Sequence, residues 1–127
     1  MKFESVRQRK LADQIKKTVS QIIDQKLKDP RKGFITVTHL RLSSDLRVAN
    51  IYFTVLGDEE KRQQSLEALE SGNGFIRSEL APNLKLRFVP ELRFFYDDTL
   101  DYSQKIESLL KKVKPENDNS EEQEKEV

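Results

Sequence analysis

The 127-residue sequence contains no cysteine and no tryptophan, and its only histidine is His39. Without cysteine there is no disulfide and no thiolate metal ligand, and one imidazole does not form a histidine cluster. No apolar run approaches the roughly 18 residues of a membrane span. The first residues, "MKFESVRQRK", lack the apolar stretch of a secretory signal. We therefore expect a cytoplasmic protein with no metal, no cofactor and no membrane partner.

Motifs of catalysis are also missing. Neither of the glycine-rich phosphate-binding motifs, G-x-x-x-x-G-K-[ST] and G-x-G-x-x-G, is present. His39 lies in a predicted strand, and it has no G-x-S-x-G type of nucleophile motif beside it. Asp97, Asp98 and Asp101 form an acidic cluster between a predicted strand and a predicted helix. Helix N-capping explains this cluster better than a metal site does. We expect no enzyme and no small-molecule substrate, and a metal-dependent nuclease at the three aspartates is a rival hypothesis.

A net charge of +1 conceals two regions of opposite sign. Residues 115–127 hold six acids and one lysine, a net charge of −5, whereas residues 1–114 carry +6. Ten lysines and arginines lie in residues 1–32 against four acids. The C-terminal segment has a single aliphatic residue, so it cannot bury enough apolar surface to order itself. We predict a folded domain over residues 1–114 and an acidic disordered tail over 115–127.

The N-terminal segment predicts one long amphipathic helix over residues 4–28. Leu11, Ile15, Val19 and Ile22 recur at helical spacing and define the buried face. At 100° per residue, Arg7, Lys10 and Lys17 fall in a polar arc away from that face. Arg31 and Lys32 extend the positive charge past the helix, which Pro30 ends. Several cations along one surface are typical of a protein that binds a polyanion.

The remaining patterns predict a small α+β domain. Residues 34–42 and 48–56 alternate and favour a hairpin, and residues 83–90 predict a third strand that 91–98 extend past Pro90. Helices are predicted over 58–71, 75–81 and 101–113. The order suggests helices packed on one face of a mixed three-stranded sheet, with an additional C-terminal helix.

Two glycines, Gly72 and Gly74, interrupt the chain between the second and third predicted helices. Glycine admits backbone conformations closed to other residues and leaves its N–H uncovered. At the start of the next helix, with Arg77 in its first turn, such a corner would attract phosphate. The alternative is a corner that only changes the direction of the chain. Either Lys85 or Arg87 would add a cation from beyond the corner.

Five segments, in this order, resemble the ribosome-binding factor A family. They cover about residues 3–113 and read "VRQRKLADQI", "DPR", "SSDLRVANIYFTV", "GFIRSELAPNLKLRFVPELRF" and "DDTLDYSQKIESLL". The resemblance implies a type II KH-like fold, α-β-β-α-kink-α-β, with an interhelical kink that is usually Ala-x-Gly. Here the kink is Gly72-Asn73-Gly74, so its first position departs from the family pattern.

The resemblance also implies function. It implies binding to the free 30S small ribosomal subunit and its 16S rRNA during late maturation, including 5′-end processing, and a role in cold adaptation. We expect a monomer. From charge and the kink we predict these RNA-binding residues: Arg7, Arg9, Lys10, Lys17, Arg31, Lys32, Gly72, Asn73, Gly74, Arg77 and Lys85. A protein–protein adaptor with an apolar patch at Phe94, Phe95 and Tyr96 is the second hypothesis.

Overall fold

The computed structural model describes residues 4–113, so the predicted tail at 115–127 lies outside the described residues. The predicted α+β fold is confirmed, with its KH-like order of elements and its mixed three-stranded sheet. The elements are α1 (Val6–Gln25), β1 (Ile35–Leu42), β2 (Val48–Val55), α2 (Glu59–Ser71), α3 (Asn73–Leu80), a short 3-10 turn (Ala81–Asn83), β3 (Glu91–Tyr96) and α4 (Thr99–Val113).

Helix α1 has a defined start and a defined end. Ser5 Oγ accepts a hydrogen bond from the Gln8 N–H, and Gln8 Oε1 accepts one from the Ser5 N–H, both at 3.0 Å. This reciprocal pair satisfies two N–H groups that the first helical turn cannot. At the other end, Lys32 Nζ donates to the Ile23 carbonyl at 2.6 Å. A lysine side chain therefore satisfies one of the last carbonyls of the helix.

The sheet has the order β1-β2-β3, with β1 antiparallel and β3 parallel to β2. The predicted third strand is shifted, because residues 83–90 are irregular and the ladder covers only Glu91–Tyr96. Pro82 and Pro90 flank this segment and lack the N–H that a ladder needs. Leu84 and Val89 pack against the core without strand pairing. Being five residues apart, the two do not follow the predicted alternation, so the segment is an irregular crossover that contacts the core at both ends.

One hydrophobic core lies between the helices and one face of the sheet. In β2, the central strand, Ala49, Ile51, Phe53 and Val55 are buried and alternate with half-buried residues. Helix α1 contributes Ala12, Ile15, Val19, Ile22 and Ile23. The opposite sheet face carries an aromatic row in which the Tyr52 ring lies 6.0 Å from His39 and 5.5 Å from Phe95. Helices α1, α2 and α3 therefore leave this second face for polar and aromatic side chains.

The described residues from Asp98 onwards belong to a second compact unit. Its described part is α4, which begins two residues before the predicted start. The Asp98 carbonyl accepts a hydrogen bond from the Tyr102 N–H at 2.9 Å. Within residues 4–113, no helix combines the length and apolar character that crossing a bilayer requires.

Candidate nucleic-acid interface

The exposed side of α1 carries three cations in one polar arc. Arg7, Lys10 and Lys17 are exposed, and none of them makes an ion pair or a side-chain hydrogen bond with another described residue. Arg9 lies outside this arc and pairs with Glu4, with 3.6 Å between Arg9 Nε and Glu4 Oε1. We call Arg7, Lys10 and Lys17 the α1 stripe. Its positive charge is unneutralised within residues 4–113.

The segment that carries Lys85 lies beside the α1 stripe. Gln14, on the same helical face as Lys10 and Lys17, donates from Nε2 to the Asn83 carbonyl at 3.0 Å. Lys85 follows two residues later and is exposed, again without an ion pair in the described chain. The hydrogen bond from Gln14 therefore places a fourth predicted cation next to the stripe.

The corner between α2 and α3 does not use the conformational freedom that we expected of its glycines. Gly72 has φ −89° and ψ 5°, and Gly74 has no positive φ. A Cβ on Gly72 would instead lie 2.6 Å from Leu27 Cδ1, whereas a Cβ on Gly74 would meet nothing within 4 Å. Gly72 is therefore required by the close approach of the corner to the end of α1, not by its backbone angles.

Asn73 and Arg77 hold the chain that leads into β3. Asn73 Nδ2 donates to the Leu92 carbonyl at 2.9 Å. The Arg77 guanidinium donates from Nε to the Pro90 carbonyl at 3.1 Å and from Nη2 to the Val89 carbonyl at 2.7 Å. These donors are engaged with backbone oxygens, so both side chains have a positioning role in the fold.

Arg31 and Lys32 are likewise engaged, at the far end of α1 from Arg7. Arg31 makes two hydrogen bonds to the Asp29 carboxylate, at 2.8 and 3.1 Å, and one to Ser71 Oγ at 3.0 Å. The side-chain hydrogen bond from Arg31 lowers the pKa of Asp29 from its ordinary 3.8 to about 2. With a rise of ~1.5 Å per residue, the 20-residue helix spans about 30 Å.

The predicted side chains therefore fall into two groups, unpaired cations and residues engaged in the fold, and Arg9, which pairs with Glu4, belongs to the second group. Unpaired cations lie along the helix towards its N-terminus and on the neighbouring 83–85 segment, namely Arg7, Lys10, Lys17 and Lys85. The other residues engaged in the fold lie at the corner and near the C-terminus of α1, namely Arg31, Lys32, Asn73 and Arg77, with Gly72 in close contact with Leu27.

Two further arginines lie near the N-terminus of α1: Arg47 is not predicted from the sequence, and Arg87 is predicted only as the alternative to Lys85. Arg47 and Arg87 line a cleft with Arg7, and both approach the Phe88 ring, at 5.3 and 5.5 Å from its centroid. Arg87 is the alternative to Lys85 in the sequence analysis, and Arg47 lies in the predicted turn between β1 and β2. In the sequence, each of these residues is a single arginine, one in segment 43–47 and one in segment 83–90. Only the fold brings the two segments together.

The sites of the two rival hypotheses lack the required geometry. Phe94 is 7% exposed and belongs to the core, Phe95 is 42% exposed, and Tyr96 is half-buried, so the three do not form one patch. Asp97 Oδ2 accepts a hydrogen bond from Thr38 Oγ1 at 2.5 Å. Among residues 4–113, no three histidine, cysteine or acidic side chains are grouped so that they could hold a metal ion.

Comparisons with known proteins give one consistent result. The family model described as ribosome-binding factor A matches residues 7–110. Ribosome-binding factor A of Macrococcus caseolyticus is 49% identical over 106 residues, which are 84% of this chain and 93% of that protein. The crystal structure of ribosome-binding factor A from Thermus thermophilus has a TM-score of 0.64 at 30% identity, covering 70% of this chain and 93% of that one.

A second similar structure comes from a complex. It is a homology model of Thermus thermophilus ribosome-binding factor A fitted into the cryo-EM map of a complex with 30S. The TM-score is 0.58 at 32% identity, with coverage of 69% of this chain and 92% of that chain.

Proposed function

Since this chain belongs to the ribosome-binding factor A family, we propose that it is a non-enzymatic ribosome assembly factor that binds the free 30S small subunit. The proposed contact is with 16S rRNA, by a monomer in the cytoplasm, during late maturation. We expect 5′-end processing of the 16S rRNA and growth in the cold to depend on this protein. The fitted complex of the Thermus thermophilus relative supports the choice of subunit.

The observation that carries the proposal is the unneutralised α1 stripe. Several other cations of the described chain are paired, as in the contacts of Lys26 with Glu79 and of Arg93 with Glu91, both at 2.9 Å. Arg7, Lys10 and Lys17 have no such acid, although they share one helical face. Lysine and arginine that neutralise phosphates release counterions, which supplies most of the sequence-independent affinity for nucleic acid.

The two groups of predicted residues have different roles in this proposal. The α1 stripe and Lys85 contact rRNA phosphates, which fix position and orientation but carry no sequence information. Arg31, Lys32, Asn73 and Arg77 keep the corner and the 84–90 segment in place. The corner contacts rRNA through Gly74, where the backbone is open. By binding one immature rRNA conformation more tightly than others, the protein would raise the population of that conformation.

Sedimentation with purified subunits tests the proposal. Wild-type protein should pellet with free 30S subunits, and Lys10→Glu combined with Lys17→Glu should weaken that binding roughly 10- to 30-fold, because two phosphate contacts of about 1 kcal/mol each are lost. Arg41→Glu is the matched control, because Arg41 is exposed and unpaired in the described chain but lies on the sheet face away from α1. Equal losses in both variants would indicate a general charge effect and contradict the assignment to α1.

Ionic strength separates this proposal from the adaptor hypothesis. With about 4–6 phosphates neutralised, log K should fall against log salt with a slope of roughly −3 to −5. An adaptor that docks through apolar surface would bind nearly as well in high salt.

A further inference from the structure

A cleft lies beside the N-terminal end of α1, where three segments meet. Arg7 reaches it from α1, Arg47 from the turn between β1 and β2, and Arg87 and Phe88 from the crossover segment before β3. The cleft measures about 200 Å³. This is below the ~300–1,000 Å³ of pockets that enclose a whole small-molecule ligand. Its size therefore suits one unit of a polymer.

None of the three guanidinium groups of this cleft forms an ion pair within 4 Å with an acid of residues 4–113, and the nearest charge partner of Arg47 is Asp45. Arg9, Arg31, Arg62 and Arg93, elsewhere in the described chain, each approach a carboxylate within 3.6 Å. The guanidinium carbons of Arg47 and Arg87 instead both lie within 5.5 Å of the centroid of one phenyl ring. Positive groups gathered around one ring repel each other, and a bound anion would reduce that repulsion.

The one acidic residue in the cleft is already engaged. Asp45 Oδ1 accepts hydrogen bonds from Ser43 Oγ at 2.6 Å and from the Arg47 N–H at 3.1 Å. The hydrogen bond from Ser43, followed by that from Arg47, lowers the pKa of Asp45, so its carboxylate is ionised at neutral pH. Three guanidinium groups and one carboxylate leave the cleft positively charged.

The turn that carries Arg47 is held in an unfavourable backbone conformation. Leu46 has φ 63°, which costs a non-glycine residue on the order of 1 kcal/mol or more. The Leu46 N–H donates to the Ser43 carbonyl at 2.9 Å, and Ser43 Oγ accepts from the N–H groups of Arg47 and Val48. A turn fixed in this way holds the Arg47 backbone at the cleft without needing a ligand.

We propose that this cleft binds one nucleotide of a single-stranded rRNA segment, with the phosphate at the arginines and the base stacked on Phe88. The inference rests on the proposed function and extends it to a specific site. Phe88 is 55% exposed although it is a large apolar residue, and bases stack on aromatic rings and on arginine guanidinium planes. An acidic protein segment would form ion pairs with the arginines but would supply no base to stack on the Phe88 ring. The combination therefore favours RNA over protein.

Two variants of exposed phenylalanines provide a matched test. Phe88→Leu keeps an apolar side chain but removes the ring, and Phe34→Leu makes the same change at a residue that is 81% exposed and outside the cleft. Binding of a fluorescein-labelled nine-residue oligoadenylate is measured by anisotropy. Phe88→Leu should weaken it about 5- to 100-fold, the effect of losing one stacked base, and Phe34→Leu should leave it unchanged. An oligomer of the same length with abasic sites should bind wild type and Phe88→Leu equally.

The same variants are then sedimented with 30S subunits. This assay distinguishes a failure of the nucleotide site from a failure of the proposed binding to the 30S subunit. A selective loss with Phe88→Leu in both assays supports the nucleotide site. A loss in the subunit assay, with no oligoadenylate binding by the wild type, would mean that the cleft contacts a ribosomal protein, and the nucleotide proposal would be overturned. Unchanged binding by Phe88→Leu in both assays also overturns it. Failure of the wild type to bind 30S subunits refutes the proposed function itself.

Discussion

Gly72→Ala provides the sharpest test of how the corner is built. A Cβ at position 72 would lie 2.6 Å from Leu27 Cδ1 and 3.2 Å from the Ala68 carbonyl oxygen. Leu27 is buried, so its side chain can move away only by disturbing the core. The backbone angles at residue 72 are accessible to alanine, so strain in φ and ψ does not contribute. Any loss of stability must therefore come from the contact with Leu27.

The expected magnitudes follow from this contact. Inserting a methyl group into a packed site costs typically 1–3 kcal/mol, and the reduced entropy of the unfolded chain offsets about 0.4–1 kcal/mol of that. We expect Gly72→Ala to lower the free energy of unfolding by about 1–2 kcal/mol. Leu27→Ala alone should lower it by ~2–5 kcal/mol. In the Leu27→Ala background the clash is absent, so Gly72→Ala should be neutral or slightly stabilising.

Urea denaturation followed by circular dichroism measures this double-mutant cycle. The two substitutions should show a coupling of about 1–3 kcal/mol, whereas independent sites add within roughly 0.5 kcal/mol. Gly74→Ala is the matched control, because nothing lies within 4 Å of its Cβ position, and it should stabilise α3 by up to ~1 kcal/mol. Additive effects at positions 27 and 72 would refute the close-approach explanation of Gly72.

The other predictions concern the core, the 84–90 segment and pH. Ile15→Ala or Phe53→Ala should lower the free energy of unfolding by about 2–5 kcal/mol through cavity formation, seen in urea titrations, without a selective effect on 30S binding by folded protein. Arg77→Leu should cost about 1–3 kcal/mol in the same titration, because the Val89 and Pro90 carbonyls lose their donors; unchanged stability would contradict the positioning role. Asp29 has a lowered pKa, so its contribution to the free energy of unfolding is present above about pH 4 and is lost as the pH falls towards 2. Asp29→Asn should therefore reduce the acid sensitivity of folding in that window, and an unchanged pH profile would count against the Asp29–Arg31 pair.

Much of the fold follows from local pattern. The apolar spacing of α1 and the alternation of β2 each identify a buried face that the structure confirms. The third strand shows where pattern fails. Residues 83–90 alternate in sequence, but the two partly buried residues that pack against the core, Leu84 and Val89, belong to opposite sides of that pattern. Strand pairing also needs free backbone N–H groups and a neighbouring strand, and β2 pairs with this part of the chain only from Glu91 onwards.

The candidate site was less predictable than the fold because charge in a sequence does not reveal which cations are already paired. Arg31 and Arg77 have the same formal charge as Arg7, yet their donors are taken by Asp29 and by backbone carbonyls. Asp29 lies 2 residues from Arg31, so this pair could be recognised in the segment "DPR". Pro90 lies 13 residues from Arg77, so that contact could not be recognised in the sequence. A count of cations therefore overstates the surface that is available to phosphate.

The same distinction explains how a chain of nearly neutral net charge can bind a polyanion. Affinity for phosphate depends on cations that have no nearer anion, and α1 and the cleft formed by Arg7, Arg47 and Arg87 bring several such cations together. The paired cations, such as Arg31 and Lys26, contribute little long-range potential because an acid lies within 3 Å. Removing an unpaired cation from α1 should therefore weaken 30S binding even when a second substitution elsewhere keeps the net charge unchanged. Lys26→Glu combined with Glu79→Lys, which reverses a paired contact, should leave 30S affinity unchanged. Lys17→Glu combined with Glu107→Lys keeps that pair and the same total charge, and it should reduce the affinity. Equal affinities of these two variants in the sedimentation assay would show that net charge, and not the unpaired α1 stripe, governs binding.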